Sequence, residues 1–220
     1  MSESNKRNFI VHGSILAIAG ILVRIIGMLY RIPVVNIIGS EGNGIYGAAF
    51  NIYNIMLVLS SYGLPMAVSK LVSARFTKKR YKSAAKVLRC SLMVAVCTGG
   101  IAALLVFFGA SFIENVIYGG GLPGLAVPLS ILAPTIFLVA ILGVIRGFFQ
   151  GQSTMIPTAV SQILEQIVNA IVSIAAGYGM MKAFASLPDV AAYGAAGSTL
   201  GTAMGALTAV LFMGFLYAVY

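Results

Sequence analysis

Residues 146–169 read RGFFQGQSTMIPTAVSQILEQIVN, and they hold the end of one apolar segment, a short polar loop and the start of another apolar segment. The second segment is apolar enough for a membrane helix, yet it carries Gln162, Glu165, Gln166 and Asn169. Polar side chains inside a membrane helix are costly unless they face other helices or water. The stretch therefore predicts two consecutive membrane helices, the second of which has one polar face.

The composition of the whole chain agrees with a membrane protein. The 220 residues are 60% hydrophobic and 9% charged, and the mean hydropathy is +0.99. A soluble domain carries about a quarter charged residues. Apolar runs of about 20 residues recur along the chain, which is the length that crosses a bilayer as a helix. We therefore predict an all-α membrane protein that spans the bilayer several times.

Enzyme chemistry has little support in this sequence. His12 is the single histidine, so neither a clustered His/Cys metal site nor a Ser-His-Asp arrangement can be built. Cys90 and Cys97 are seven residues apart on one helix, roughly 10 Å and too far for a disulfide. We expect both to be small core residues, and we predict a protein that is not an enzyme and has no cofactor or metal.

Hydropathy predicts six membrane-spanning helices over residues 1–220. The first is an uncleaved span rather than a signal peptide, because Arg24 interrupts its apolar run and further spans follow. Breaks are expected at Pro33 and after Pro65, because proline removes a backbone donor. The predicted spans are residues 9–32, 44–72, 84–108, 125–148, 157–184 and 192–217, and the first two are joined by the loop GSEGNG.

Basic residues predict the orientation of these spans. Seven Lys/Arg and no acidic residue lie in RFTKKRYKSAAKVLR, residues 75–89. A nucleic-acid surface is one interpretation of such a run. The positive-inside rule explains it as a short cytoplasmic loop, and the N-terminal tail and Arg146 then fall on the same side. We therefore predict a protein of the bacterial cytoplasmic membrane with both termini of this chain cytoplasmic, and no nucleic-acid partner.

Two arginines lie at or near membrane depth in the first span. Arg24 and Arg31 are two helical turns apart and share one face. An arginine near the bilayer centre costs about 2.5–3.5 kcal/mol on insertion scales. Snorkelling to the headgroups accounts for Arg31 as well as a functional role does, whereas the depth of Arg24 favours a cavity.

The polar residues of the fifth span recur at helical spacing and form a stripe opposite an apolar face. The stripe is either a hydrogen-bonded seam between helices, with Glu165 neutral or paired to an arginine, or the wall of a hydrophilic cavity. Surplus positive charge within the spans favours an anionic cargo, since arginine suits bidentate phosphate contacts. The candidate cavity residues are Arg24, Arg31, Asn51, Asn54, Lys70, Gln162, Glu165, Gln166 and Asn169.

A glycine stripe marks the sixth span. Gly197, Gly201 and Gly205 are four residues apart, which lets helix backbones approach closely. The stripe predicts either a packing surface or a sliding surface between moving helices.

The segments RIIGMLYRIP, YGLPMAVSKLVS and RGFFQGQSTMIPTAVSQILEQIVN resemble the polysaccharide-biosynthesis branch of the multidrug/oligosaccharidyl-lipid/polysaccharide (MOP) flippase superfamily, the branch of sporulation and lipid II flippases. The resemblance implies a flippase of undecaprenyl-pyrophosphate-linked glycans that alternates access between two six-helix lobes. Arg24 and Gly27 match the family's first cavity arginine in the pattern R-x-x-G. Arg31 lies one residue beyond the usual second arginine, and Leu57 and Val58 stand where basic residues often occur, which leaves room for a different glycan.

The resemblance implies three partners: a lipid-linked anionic glycan, the bilayer and a second six-helix lobe. Family members have two such lobes, and residues 1–220 would be the N-terminal six-helix lobe. Because this chain stops at Tyr220, we expect a truncated product or incomplete gene rather than a working half-transporter. Two other functions stay open. One is a cation-coupled multidrug exporter of the same superfamily, and the other is a membrane protein that assembles cell-wall or spore-coat enzymes without transporting anything.

Overall fold

The computed structural model describes residues 3–219, with side chains from Gly13 onward, and this part of the chain is helical with no β-strand. The prediction of an all-α protein is therefore confirmed. A π-helical turn, Ile113–Ile117, extends the third helix. The helices are α1 (Glu3–Ser60), α2 (Leu64–Phe76), α3 (Tyr81–Phe112), α4 (Ala126–Gly151), α5 (Ile156–Ala183) and α6 (Val190–Val219).

Five helical stretches among the described residues are long and apolar enough to cross a membrane, rather than the six predicted. The difference lies in the first stretch, Gly13–Phe76, which contains the predicted span 44–72 and the predicted span 9–32 from Gly13 onward. At about 1.5 Å per residue its 64 residues far exceed the roughly 30 Å of a bilayer core. A stretch of that length is longer than a single crossing needs. The six crossings stay a prediction.

The first stretch bends at Gly39, where φ is 72° and ψ is −175°. Only glycine adopts such a conformation without strain. The break expected at Pro33 is wrong, since Pro33 lies inside the helix, and the loop expected at residues 39–44 is helical apart from Gly39. Tertiary packing accounts for the extra helix, because Ile45 and Tyr46 just beyond it are buried in the core.

A second break separates α1 from α2 at residues 61–63. It precedes Pro65, so the bend expected after this proline is misplaced. Pro65 lies in the first turn of α2, where a missing backbone donor costs nothing because that N–H has no helical partner. The other four predicted spans agree with the helix bounds to within four residues.

Helix α4 is the centre of the bundle and packs on α2, α3 and α6, whereas α5 packs chiefly on α1 and α6. Two apolar cores flank α4. One gathers the second half of α1 with the C-terminal end of α3 and the N-terminal ends of α4 and α6, and the other gathers α2 with the opposite ends of α3, α4 and α6. No residue of α5 belongs to the buried part of either core. Helix α5 therefore lies outside the apolar cores, and its polar side chains do not enter them.

The glycine stripe of α6 is a packing surface against α5, which confirms the packing interpretation. A Cβ atom at Gly205 would lie 2.6 Å from the carbonyl oxygen of Glu165, closer than real Cβ contacts. At Gly201 it would meet the side chain of Ser173. Any larger residue would push the two backbones apart.

A second stripe, Gly143, Gly147 and Gly151 on α4, was not recognised from the sequence. It lets α2 lie directly on α4. A Cβ at Gly143 would approach the ring of Pro65 at 2.9 Å, and one at Gly151 would approach the carbonyl oxygen of Ser69 at 2.7 Å. The four-residue spacing in GVIRGFFQG is the signal that marks this surface.

The expectation that the two cysteines of α3 are core residues is wrong. Cys90 and Cys97 are both free and exposed. The face of α3 that enters the apolar cores is formed instead by residues such as Leu88, Ala95 and Val106. Apolarity alone did not separate the two faces of a helix that is apolar almost all round.

Candidate functional site

The polar stripe of α5 divides into two parts with different surroundings. The inner part includes Ser161 and Glu165, near the start of the helix, and the outer part includes Asn169 and Ser173 further along it. In the outer part, Asn169 and Ser173 are buried against α6. Oγ of Ser173 donates a hydrogen bond to the carbonyl oxygen of Ser198 at 2.8 Å and lies 2.9 Å from Oδ1 of Asn169. This part of the stripe is a hydrogen-bonded seam between two helices.

The inner part of the stripe contains an ion pair. Nη2 of Arg146 on α4 donates to Oε2 of Glu165 at 2.7 Å, and Nε of Arg146 donates to Oγ of Ser161 at 2.9 Å. The Ser161 hydroxyl in turn donates to the carbonyl oxygen of Thr158 at 2.8 Å. The Arg146 and Glu165 side chains are 15% and 25% exposed, so the pair is accessible from one side.

Helix α1 runs alongside this stripe. A Cβ atom at Gly27 would lie 3.1 Å from Nε2 of Gln166, so glycine allows the amide to approach the α1 backbone. One turn further, Nδ2 of Asn169 donates to the hydroxyl of Tyr30 at 3.3 Å. Residues increase along both helices from one contact to the next, so α1 and α5 run parallel.

Arg24 and Arg31 lie on either side of Gly27 along α1, and helical geometry gives all three a common face. Both arginines are exposed, and neither forms a salt bridge or hydrogen bond with another residue whose side chain is described. The predicted partnership of Glu165 with an arginine is present, but the partner is Arg146. The charges of the two α1 arginines have no carboxylate partner among the described residues.

The remaining candidate residues are not all brought together. Asn51 and Asn54 are exposed on the second half of α1, and no hydrogen bond joins them to the described α5 stripe. Lys70 is exposed on α2. Gln162 and Gln166 are half-buried beside Glu165.

A cleft opens where α1 ends, α2 begins and both face α4 and α5. We call it the α2–α4 cleft; its volume is about 360 Å³, and its polar lining is Ser61, Arg146, Gln150 and Gln162. A neighbouring groove of about 500 Å³ shares Tyr62, Pro65 and Gln150 with it and reaches Lys70. The two spaces share this part of their lining, with Arg146 on the cleft and Lys70 on the groove.

Sequence reasoning assigned Arg146 to a cytoplasmic loop charge and missed its contact with Glu165. The two residues are nineteen positions apart on different helices, so periodicity within one helix does not pair them. Glu114 was also missed. Its carboxylate accepts hydrogen bonds from the backbone N–H groups of Gly124 at 3.0 Å and Ala126 at 2.7 Å, which caps the start of α4.

The fold of this chain matches that of a solved MOP superfamily transporter from Pyrococcus furiosus Vc1 (DSM3638). The TM-score is 0.74 over 94% of this chain and 44% of that chain, at 17% sequence identity. The class is thus a helical membrane protein with a MOP transporter fold. The chain belongs to the polysaccharide biosynthesis protein family, whose sequence profile matches residues 10–218.

Three proteins of Bacillus subtilis (strain 168) are similar in sequence. Lipid II flippase MurJ is 33% identical over 176 residues, covering 77% of this chain and 32% of that protein. Stage V sporulation protein B is 31% identical over 209 residues, covering 94% and 39%. Uncharacterized membrane protein YabM is 30% identical over 213 residues, covering 96% and 38%.

The chain spans 32–39% of the length of these relatives. Of these three proteins, the one whose name states an activity is a flippase. This name agrees with the prediction that the chain is not an enzyme.

Proposed function

We propose that this chain is one lobe of a flippase that moves an undecaprenyl-pyrophosphate-linked glycan across the bacterial cytoplasmic membrane by alternating access. The observation that carries the proposal is that Arg24 and Arg31, on the face of α1 that meets α5 at Gly27, have no salt-bridge partner among the described residues. Guanidinium groups suit phosphate oxygens because their planar fork donates two parallel hydrogen bonds.

Charge balance favours an anionic cargo over a cationic drug. Arg146 and Glu165 neutralise each other across 2.7 Å. The excess charge on the α1–α5 face therefore comes from Arg24 and Arg31 and is positive. An exporter of organic cations needs the opposite sign at its cavity, because like charges repel.

A second lobe is part of the proposal. The chain superposes on 44% of the P. furiosus transporter, which is consistent with one lobe of two. The face of α1 that carries Arg24 would then line a cavity between lobes, where water and cargo offset the cost of exposed charge. Six crossings with both termini of this chain cytoplasmic complete the proposed topology.

The test is complementation of a strain depleted of its lipid-linked glycan flippase, with the protein expressed from its complete gene. We expect growth to be restored and the glycan precursor to leave the inner leaflet. Absence of rescue at normal membrane abundance, together with new resistance to organic cations, would replace this proposal with a drug exporter.

A further inference from the structure

We propose that the α2–α4 cleft binds the pyrophosphate of the lipid-linked cargo, and that Arg146 is the residue that donates to its oxygens. The proposal rests on the function proposed above and adds a second anion site to the one at Arg24 and Arg31. Arg146 lies about a turn and a half before the end of α4. Its side chain is 15% exposed and lines the cleft.

The guanidinium is held by one edge only. Nε and Nη2 lie on the same edge, and they donate to Ser161 and Glu165 of α5 at 2.9 and 2.7 Å. The fork at the other end, made by Nη1 and the second N–H of Nη2, has no hydrogen-bond acceptor among the described residues. A donor pair fixed in orientation by a neighbouring helix is arranged for bidentate contact with a planar or tetrahedral oxyanion.

Unsatisfied N–H groups inside a protein are costly unless a polar partner reaches them. The cleft supplies space for that partner. Its volume of about 360 Å³ corresponds to roughly twelve water molecules at about 30 Å³ each. That space admits a phosphate or pyrophosphate headgroup but not an entire lipid-linked glycan, whose lipid and sugars would extend out of the cleft.

The other polar residues of the cleft suit the same ligand. Gln150, one turn after Arg146 on α4, and Gln162 on α5 both line the cleft with amide donors, and Ser61 adds a hydroxyl. Neutral donors around one cation bind phosphate without adding a charge that must be buried. The described residues that line the cleft include no carboxylate.

Lys70 gives the cleft a charged approach. It lines the neighbouring groove, which shares Tyr62, Pro65 and Gln150 with the cleft and extends along α2 towards the basic segment 75–89. A phosphate entering from that side would meet an ammonium group first and the guanidinium of Arg146 afterwards. The positive charges of Lys70 and Arg146 both attract the phosphate headgroup, and Gln150 lines both spaces.

Glu165 competes with the cargo phosphate for the guanidinium of Arg146. Its carboxylate holds the Arg146 guanidinium and reduces the positive field in the cleft, so it weakens anion binding and favours release. This assigns opposite effects to two substitutions that break the same ion pair. Arg146→Gln should weaken binding of the headgroup, and Glu165→Gln should strengthen it. A salt bridge that only stabilises the fold would make both substitutions act in the same direction.

The experiment measures binding by native mass spectrometry, with the protein from its complete gene in phosphatidylcholine nanodiscs. The probes are undecaprenyl pyrophosphate, phosphatidylglycerol and inorganic pyrophosphate. Arg89→Gln is the matched control, since it removes the same charge from an exposed position on α3. Melting temperatures, and the double variant Arg146→Gln/Glu165→Gln with its neutral hydrogen-bonding pair, separate binding from folding.

We expect Arg146→Gln and the double variant to bind undecaprenyl pyrophosphate about tenfold more weakly or worse, Glu165→Gln to bind it more tightly, and Arg89→Gln to match the wild type. Competition by inorganic pyrophosphate that depends on Arg146 would support headgroup recognition. Unchanged binding by a well-folded Arg146→Gln protein would overturn the site, as would equal Arg146-dependent binding of phosphatidylglycerol.

The outcome is independent of whether the flippase proposal holds. If Arg24→Ala stops transport while Arg146→Gln binds normally, the α2–α4 site is wrong and the function stands. If binding depends on Arg146 but the wild-type protein rescues no flippase-deficient strain, the site stands and the proposed function is wrong.

Discussion

Nδ2 of Asn169 donates a hydrogen bond to the hydroxyl of Tyr30 at 3.3 Å, and this contact fixes how α1 lies along α5. Tyr30 is next to Arg31 in the chain and one turn beyond Gly27, whose missing side chain admits Gln166. The contact therefore places Arg24 beside the inner half of the α5 stripe and Arg31 at the level of Asn169, where the outer half begins. It also separates the inner half from the buried Ser173–Ser198 seam further out.

The division of the stripe predicts different reactivity at two of its positions. After Cys90 and Cys97 are replaced, Glu165→Cys should react with a water-soluble thiol reagent because this side chain is 25% exposed. Ser173→Cys, on the same helix but fully buried, is the matched control and should stay unreactive. Equal protection of both cysteines would show that the whole stripe is a packing seam.

The charge of Glu165 can be tested without changing its shape. Glu165→Gln keeps hydrogen bonding to Arg146 but deletes the negative charge, so the protein should insert normally and melt close to the wild type. Transport should slow, because a cargo phosphate held by Arg146 then has no carboxylate to displace it. Transport assays and melting curves together check this, and full transport activity would assign Glu165 a structural role alone.

Membrane orientation is predicted by charge and can be tested with single cysteines in intact cells. Lys79→Cys, in the basic segment, should be labelled only after permeabilisation, and Val116→Cys, in the π-helical turn that follows α3, should be labelled directly. Both positions are exposed, so lack of labelling reflects sidedness rather than burial. External labelling of Lys79→Cys would reverse the proposed topology.

Helix packing predicts opposite results for two glycine substitutions. Gly201→Ala would drive a methyl group into Ser173 and the backbone of α5, and overpacking of this kind costs about 1–3 kcal/mol. Gly109→Ala on α3 meets nothing within 4 Å and should be neutral or slightly stabilising, since alanine favours helix. Thermal unfolding in detergent measures both. Equal melting temperatures would contradict the close α5–α6 contact.

The helices were predictable where apolar segments are separated by polar or flexible turns, as at residues 150–155. The first 76 residues were predicted less well, because polar and glycine-rich sequence at residues 39–44 reads as a loop. In the structure, the burial of Ile45 and Tyr46 keeps this part helical, and Gly39 bends it. Local composition could not reveal which glycine would leave the helical conformation.

Part of the candidate site could be predicted from the sequence. Helical periodicity gave the polar face of α5, and depth singled out Arg24. The partner of Glu165 was not predictable, because Arg146 lies on another helix and its charge had a sufficient explanation as a loop residue. Which half of the stripe would be buried depended on the glycine contacts of α6, and those became clear only from the packing of the two helices.

The central claim, that the α1–α5 face binds an anionic lipid-linked cargo, is tested most directly at Arg24. The measurement is translocation of an undecaprenyl-pyrophosphate-linked glycan by the protein from its complete gene, with membrane abundance matched between variants. We predict that Arg24→Ala reduces translocation by about tenfold or more, that Arg24→Lys restores part of it because an ammonium lacks the planar fork, and that Arg89→Ala leaves it unchanged. Wild-type translocation by Arg24→Ala would contradict the account.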